Sequence, residues 1–327
     1  MNASATVRIH PSQFPENVRR DLLASLRTRR VNHKFHYDSV KQTQKWLALH
    51  EAHSPARRDD DCLATYDRAF VATAGKIKSK TIHVIGLGCG GGQKDSRLLK
   101  LLSAREKKIS YAPCDVSAAM VLVAREAALK MMPDKNCFPF VCDLATADDL
   151  PEVFAQSPAP KAPRLLTFFG MIPNFEPQQI LPKLAALVRP KDFLLFSANL
   201  APGGDYAAGM KKILPQYDNA LTRDWLMAFL FDLGVEKSDG ELRFKIEAVA
   251  RFGLSRVRAD FIFRRTVHIN IDGNEFKFRA GESIRLFFSY RYTPERVQKN
   301  LARHGFEICE SWITQSQEEG VFFCRRK

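Results

Sequence analysis

The stretch from Val84 to Arg97, VIGLGCGGGQKDSR, gathers residues suited to holding an anionic, nucleotide-like ligand. β-Forming residues run into Gly86, Gly88, Gly90, Gly91 and Gly92, and Lys94 follows. Glycines after a strand permit positive φ and let backbone N–H groups approach a ligand closely. The spacing Gly86-x-Gly88-x-Gly90 fits either a dinucleotide or S-adenosylmethionine (SAM). Two acids narrow the choice. Asp115 ends the next strand-like run, where a carboxylate can accept both ribose hydroxyls. Asp143 ends the one after, a place suited to an adenine amino group. A strand-end or helix-cap role is the alternative for each, and it fits Asp143 better than Asp115. Lys94 can pair with the α-carboxylate of SAM or face solvent from the first turn of a helix.

These residues need a sheet to present them, and the pattern from about 80 to 200 supplies one. TIHVIG, ISYAPCDV, CFPFVCD, PRLLTFFG and DFLLFSANL read as strands. KDSRLLKLLSAREK, SAAMVLVAREAALKMM with Ser117 as its cap, and PQQILPKLAALV read as the helices between them. That is a parallel α/β sheet with right-handed crossovers. APGGDY breaks the pattern. Two helical stretches around Tyr217 and Trp225 come next, then strand-like alternation with a hairpin turn at DGN. TPERVQKNLARHG reads as a helix stopped by Gly305, and FEICESWIT and GVFFCRRK as two final strands. A helix and two strands closing an α/β core suit a methyltransferase-type sheet whose last strand runs antiparallel, more than a nicotinamide dehydrogenase. The expected class is therefore α/β, a Rossmann-like class I SAM-dependent methyltransferase sheet with a second α+β unit. Residues 59–200 and 284–327 form the sheet, and 1–58 with 201–283 form the second, covering unit.

The chain has 327 residues with a composition ordinary for a folded protein, 45% hydrophobic and 26% charged. No apolar run approaches a membrane span of ~20 residues. MNASATVRIHPSQF lacks a leader-like apolar core, so a cytoplasmic location is expected. Seven cysteines form no Cys-x-x-Cys pair, which fits reduced thiols and no metal site. The formal charge of +14 favours anionic partners and keeps RNA open as a substrate. No interleaved aromatic and basic motif accompanies it.

In ordered blocks, the chain resembles the SAM-dependent histidine Nα-methyltransferases and their relatives that methylate other amino acids. The blocks are KFHYDSV (34–40), GLGCGGGQKDSRLL (86–99), YAPCDVSA (111–118), VCDL (141–144), FFGMIPNFEP (168–177), LLFSANL (194–200), YDN (217–219) and AGESIRLFFSYRY (280–292). The resemblance implies that Gly88 and Gly90 line SAM, and Gly86, as the first glycine of the loop, is expected with them. Lys94 would meet its carboxylate, Asp115 its ribose, and Asp143 with Leu144 its adenine. It also implies that Asn174 and Tyr217 hold the head of an amino-acid substrate, and that Tyr37 reaches its amine. Those three are the expected catalytic positions, with Phe287 and Ser289 on the substrate wall.

Three departures stand out. Where relatives carry a glutamate that contacts the histidine imidazole, this chain has Phe287, while the serine two residues on persists as Ser289. A phenyl ring cannot pair with an imidazole, so the expected acceptor is an amino acid or small amine other than histidine. The acid that begins the family's glycine motif is Gly86 here. A tyrosine-rich YYPTR segment is reduced to His53-Ser54-Pro55-Ala56-Arg57. The competing expectations are a SAM enzyme acting on RNA or another large anion, and a catalytically inactive relative that keeps the fold.

Overall fold

The structure is a computed structural model describing residues 4–156 and 162–327, the side chain of Ala56 excepted. The first three residues of the stretch read for a leader lie outside the described residues. Among the described residues, thirteen strands form three sheets. They are β1 (Arg8–Ile9), β2 (Thr81–Leu87), β3 (Lys108–Asp115), β4 (Phe140–Val141), β5 (Arg164–Phe168), β6 (Phe193–Asn199), β7 (Gly240–Val249), β8 (Leu254–Phe263), β9 (Val267–Ile271), β10 (Asn274–Phe278), β11 (Ser283–Arg291), β12 (Phe306–Ile313) and β13 (Glu319–Arg326).

The large sheet runs β1-β4-β3-β2-β5-β6-β13-β12. It is parallel from β1 to β6, and β13 then lies antiparallel between β6 and β12. β5 is fully buried, and β2 and β6 are buried apart from their end residues, as expected for strands covered by helices on both faces. Helices Gln93–Ala104, Ala118–Leu129 and Pro177–Leu187 make the crossovers. Ser117 caps the second by accepting a hydrogen bond from the Met120 amide. The helix Pro294–Ala302 precedes β12, and Gly305, at φ 75°, follows it. The expected methyltransferase-type sheet, with its antiparallel last strand, is thus present.

Two elements differ from the expected division. Arg8–Ile9, placed outside the sheet, is its edge strand and runs parallel to β4. β11, placed in the sheet unit, instead pairs with β8 in a separate antiparallel sheet, order β11-β8-β7. The reason for the first is length, since two residues carry no period. The second arises because an apolar run has the same pattern in either sheet. β9 and β10 form the hairpin expected at DGN, with Asp272 and Gly273 both at positive φ. A third core joins Leu26, Val31 and Phe35 of the N-terminal segment to Trp225 and Leu230 of helix Ala220–Asp232, and to Phe261 and Phe287 of the small sheet. No helix among the described residues is long and apolar enough to cross a membrane.

Candidate active site

A cavity of about 990 Å³ lies between the carboxyl ends of β2–β5 and the small sheet. That is the crevice where open α/β sheets place ligands. The glycine loop forms one wall. Gly88 and Gly90 are at φ 63° and 52°, and a Cβ on Gly88 would lie 2.6 Å from the Met171 side chain. Gly92, at φ 72°, caps helix Gln93–Ala104, and its Cβ would strike Ala124 at 2.8 Å. Gly90 donates its N–H to Asp115 Oδ2 at 2.9 Å, and Ser117 donates to Oδ1 at 3.0 Å. Both carboxylate oxygens are thus fixed at the end of β3, with lone pairs left to accept from a ligand. Burial pushes the Asp115 pKa up.

Asp143 sits at the neighbouring strand end. Its Oδ1 accepts from the Ala145 amide at 2.8 Å. Its Oδ2 is buried and takes no hydrogen bond from any of the described residues, although Lys34 Nζ stands 3.7 Å away. Lys34 donates instead to Asp21, at 2.6 Å. An acceptor held dry and unsatisfied is costly, and a ligand donor such as an adenine amino group would relieve it. Leu144 supplies an apolar surface beside it. The Lys94 ammonium enters the cavity from the first turn of its helix. It donates to the Tyr66 hydroxyl at 2.7 Å, lies 4.3 Å from the centre of that ring, and is 3.7 Å from Glu319. Glu319 accepts from Tyr66, so Lys94 is held by a phenol and a carboxylate from β13. These donors and acceptors fit SAM: an acid for ribose, an unsatisfied acceptor for adenine, a cation for the carboxylate and glycine amides between them.

Gly86 departs from expectation. It does not line the cavity, and a Cβ there would lie 2.2 Å from Asp95 Oδ2. Asp95, in the first turn of the following helix, is 2% exposed and accepts from Tyr111 at 2.6 Å and Thr167 at 2.7 Å. Its carboxylate fills the space beyond Gly86, so the glycine makes room for an acid rather than contacting a ligand. The sequence signal was the acid nine residues downstream, in QKDSR.

The opposite wall comes from the cover. Tyr37 follows a short turn, His33–His36, and packs against Trp46 and Trp225 with ring centroids 6.0 and 5.4 Å apart. Burial first, and Asp115 second, push its phenol well above the ordinary value, so it stays protonated. Asn174 ends the turn Ile172–Asn174, and among the described residues nothing bonds its side chain. Tyr217 follows the turn Leu214–Gln216, donates to Ser289 Oγ at 2.9 Å and accepts from Arg291 Nε at 3.1 Å. Arg291 is itself tied to the Leu200 carbonyl. Phe287 packs against Tyr217, Trp225 and His33 at 6.2, 5.7 and 5.4 Å. Phe288 turns to the other face of β11, into the core of the large sheet. The cavity therefore brings together Tyr37, Gly88, Gly90, Lys94, Asp115, Asp143, Leu144, Asn174, Tyr217, Phe287 and Ser289. The sequence reading missed Trp46, which would be 3.4 Å from a Cβ on Gly90, and His33, Met171, Arg285 and Glu319.

Two curated proteins match over most of this chain. It is 25% identical over 319 residues to the histidine N-alpha-methyltransferase of Mycolicibacterium smegmatis, covering 94% of each chain. It is 24% identical over 274 residues to the N-methyltransferase imqF of Aspergillus flavus, covering 82% of this chain and 72% of the other. Among solved structures, the magnesium protoporphyrin IX methyltransferase of Synechocystis superposes with a TM-score of 0.48 and 12% identity, covering 90% of this chain and 97% of the other. The family model described as histidine-specific methyltransferase, SAM-dependent, matches residues 18–326. The chain belongs to that family of SAM-dependent methyltransferases.

Proposed function

We propose that the protein methylates the amino group of an amino acid or related small amine other than histidine. When bound, SAM supplies a methyl group on a sulfonium, which leaves as a neutral thioether and needs no acid. The chain's task is then to orient an unprotonated amine and exclude water. Tyr37, Asn174 and Tyr217 take the amino-acid head in this reading, and Tyr217 is aimed by Arg291 and Ser289. Gly88, Gly90, Lys94, Asp115, Asp143 and Leu144 take SAM. The Asp95 carboxylate beside Gly86 supports a working pocket over an inactive relative. Seven unpaired cysteines fit a reducing compartment, in line with a cytoplasmic enzyme.

The observation that carries the choice of acceptor is Phe287. It stands where relatives hold an imidazole-pairing glutamate, and it is walled by Trp225 and Tyr217. The test is incubation with isotope-labelled SAM and a pool of free amino acids and biogenic amines, with products identified by mass. An N-methylated product other than methylhistidine is expected. Failure to bind SAM or S-adenosylhomocysteine by titration calorimetry, or methylation of histidine in preference to the rest, overturns the reading.

A further inference from the structure

We propose that Arg285 and His33 form a second recognition point in the cavity, for a carboxylate or phosphate that the methyl acceptor carries besides its amino-acid head. This rests on the amine-methylating reading above and names the acceptor's class. Both residues line the cavity. His33 lies between the two phenylalanines of β11, 5.4 Å from the Phe287 ring centroid and edge-on to Phe288 at 4.7 Å. It is therefore one aromatic ring away from Tyr217. Both of its ring nitrogens are buried, and among the described residues neither has a hydrogen-bond partner. Burial, then His36, Arg285 and Arg256, hold its pKa well below the ordinary value, so it is neutral at pH 7 and carries one N–H donor.

Arg285 also lies against Phe288, its guanidinium carbon 4.9 Å from the ring centroid, and is near enough to His33 for its charge to act on the imidazole. Among the described residues, no carboxylate and no hydrogen-bond acceptor engages that guanidinium. The neighbouring acids are already committed. Glu176 holds Arg256 at 2.6 Å and Tyr290 at 2.8 Å, with Arg251 at 3.6 Å. Glu247 holds Arg256 and Arg258, and Asp260 holds Arg258 and Lys245. Burial first, then Arg256 and Arg30, bring the Arg285 pKa down to about 10, with Glu176 opposing in part. Arg30 also lines this end of the cavity, and among the described residues its side chain has no hydrogen-bond or ion-pair partner.

A part-buried guanidinium without a counter-ion and an imidazole with no hydrogen bond are each unfavourable alone. One anionic ligand group relieves both, taking donors from Arg285 and the His33 N–H. The apolar side chain of Phe287, which lines the cavity between His33 and Tyr217, suits a planar spacer between that group and the amine.

The test measures binding of L-phenylalanine, 4-carboxy-L-phenylalanine and O-phospho-L-tyrosine to the full chain saturated with S-adenosylhomocysteine. At least one acidic probe is expected to bind about 10-fold or more tightly than L-phenylalanine. Which of the two does so identifies the acid. Arg285→Gln should bring that ratio close to one while leaving S-adenosylhomocysteine affinity and Tm near wild type, which shows that the fold is intact. Equal affinity for acidic and neutral probes, no binding by either acidic probe, or a preference that survives Arg285→Gln overturns the proposal. Product masses from the amine pool separate it from the underlying reading. A methylated product without a second acid refutes only the subsite, and absence of any methylated amine refutes N-methylation.

Discussion

Gly86→Ala tests whether Asp95 occupies the space that a strand-end acid would otherwise need. The new Cβ would lie 2.2 Å from Asp95 Oδ2 and 3.0 Å from the Tyr111 hydroxyl. Asp95 has no open direction of retreat, because Tyr111 holds one oxygen, Thr167 the other, and the residue is 2% exposed. The carboxylate must turn away, which breaks at least the Tyr111 bond. Losing a hydrogen bond to a charged group costs about 1.5–3 kcal/mol, and buried groups left unpaired add about 1–3 more. Gly86→Ala should therefore cost about 3–5 kcal/mol. Asp95→Ala loses both bonds and costs a similar amount, but it empties the space that the methyl group needs. The double variant should then be about as stable as Asp95→Ala alone, a coupling equal to the Gly86→Ala cost of about 3–5 kcal/mol. Urea unfolding of all four proteins without cofactor measures the cycle. If Gly86→Ala is neutral, or if the two losses add within about 0.5 kcal/mol, the steric exchange between Gly86 and Asp95 is refuted.

Three further outcomes are expected. Tyr217→Phe removes the hydroxyl between Arg291 and Ser289. It should lower kcat/KM about 10- to 100-fold while S-adenosylhomocysteine affinity, read by calorimetry, stays put. Phe287→Glu restores the acid of the relatives. It should raise the rate on L-histidine relative to L-phenylalanine in a competition assay, and cost about 1–3 kcal/mol for a carboxylate set against Trp225. Asp38 has its pKa raised from 3.8 to about 6, mainly by burial. A raised carboxylate pKa means that the folded state binds the proton more tightly, so stability falls as pH rises from about 4 to about 6. Asp38→Asn should lack that decline, gaining on wild type across this interval in thermal melts at fixed ionic strength. A gain that is flat with pH would remove Asp38 as its source.

The glycine loop, Asp115 and the alternating strands were legible because each is local. A loop needing positive φ, a strand-end acid and a two-residue hairpin all show within a few residues. The cover was less so. Trp46, His33 and Arg285 reach the cavity from segments far apart in the chain, and nothing nearby marks a lone tryptophan or arginine as facing inward. β1 is too short to carry a period, and β11 reads the same whichever sheet claims it. Lys94 was located correctly in its helix, but its neighbours Tyr66 and Glu319 come from the helix Asp60–Lys76 and from β13. Sequence proximity could not pair them. The role of Gly86 was hidden for the same reason, since only the turn of the helix onto the sheet brings Asp95 beside it.

The bond between Tyr66 and Glu319 joins residues 253 positions apart. Asp61 likewise accepts from the Gln315 amide. During synthesis Asp61 and Tyr66 are made long before their partners Gln315 and Glu319. The cavity wall around Lys94 can therefore assemble only after β13 has been made. Until then the parallel strands can form with the pocket open on the side where β13 later joins. A nascent chain stalled before β13 would have made its glycine loop and both strand-end acids, and still lack the carboxylate that sets the lysine.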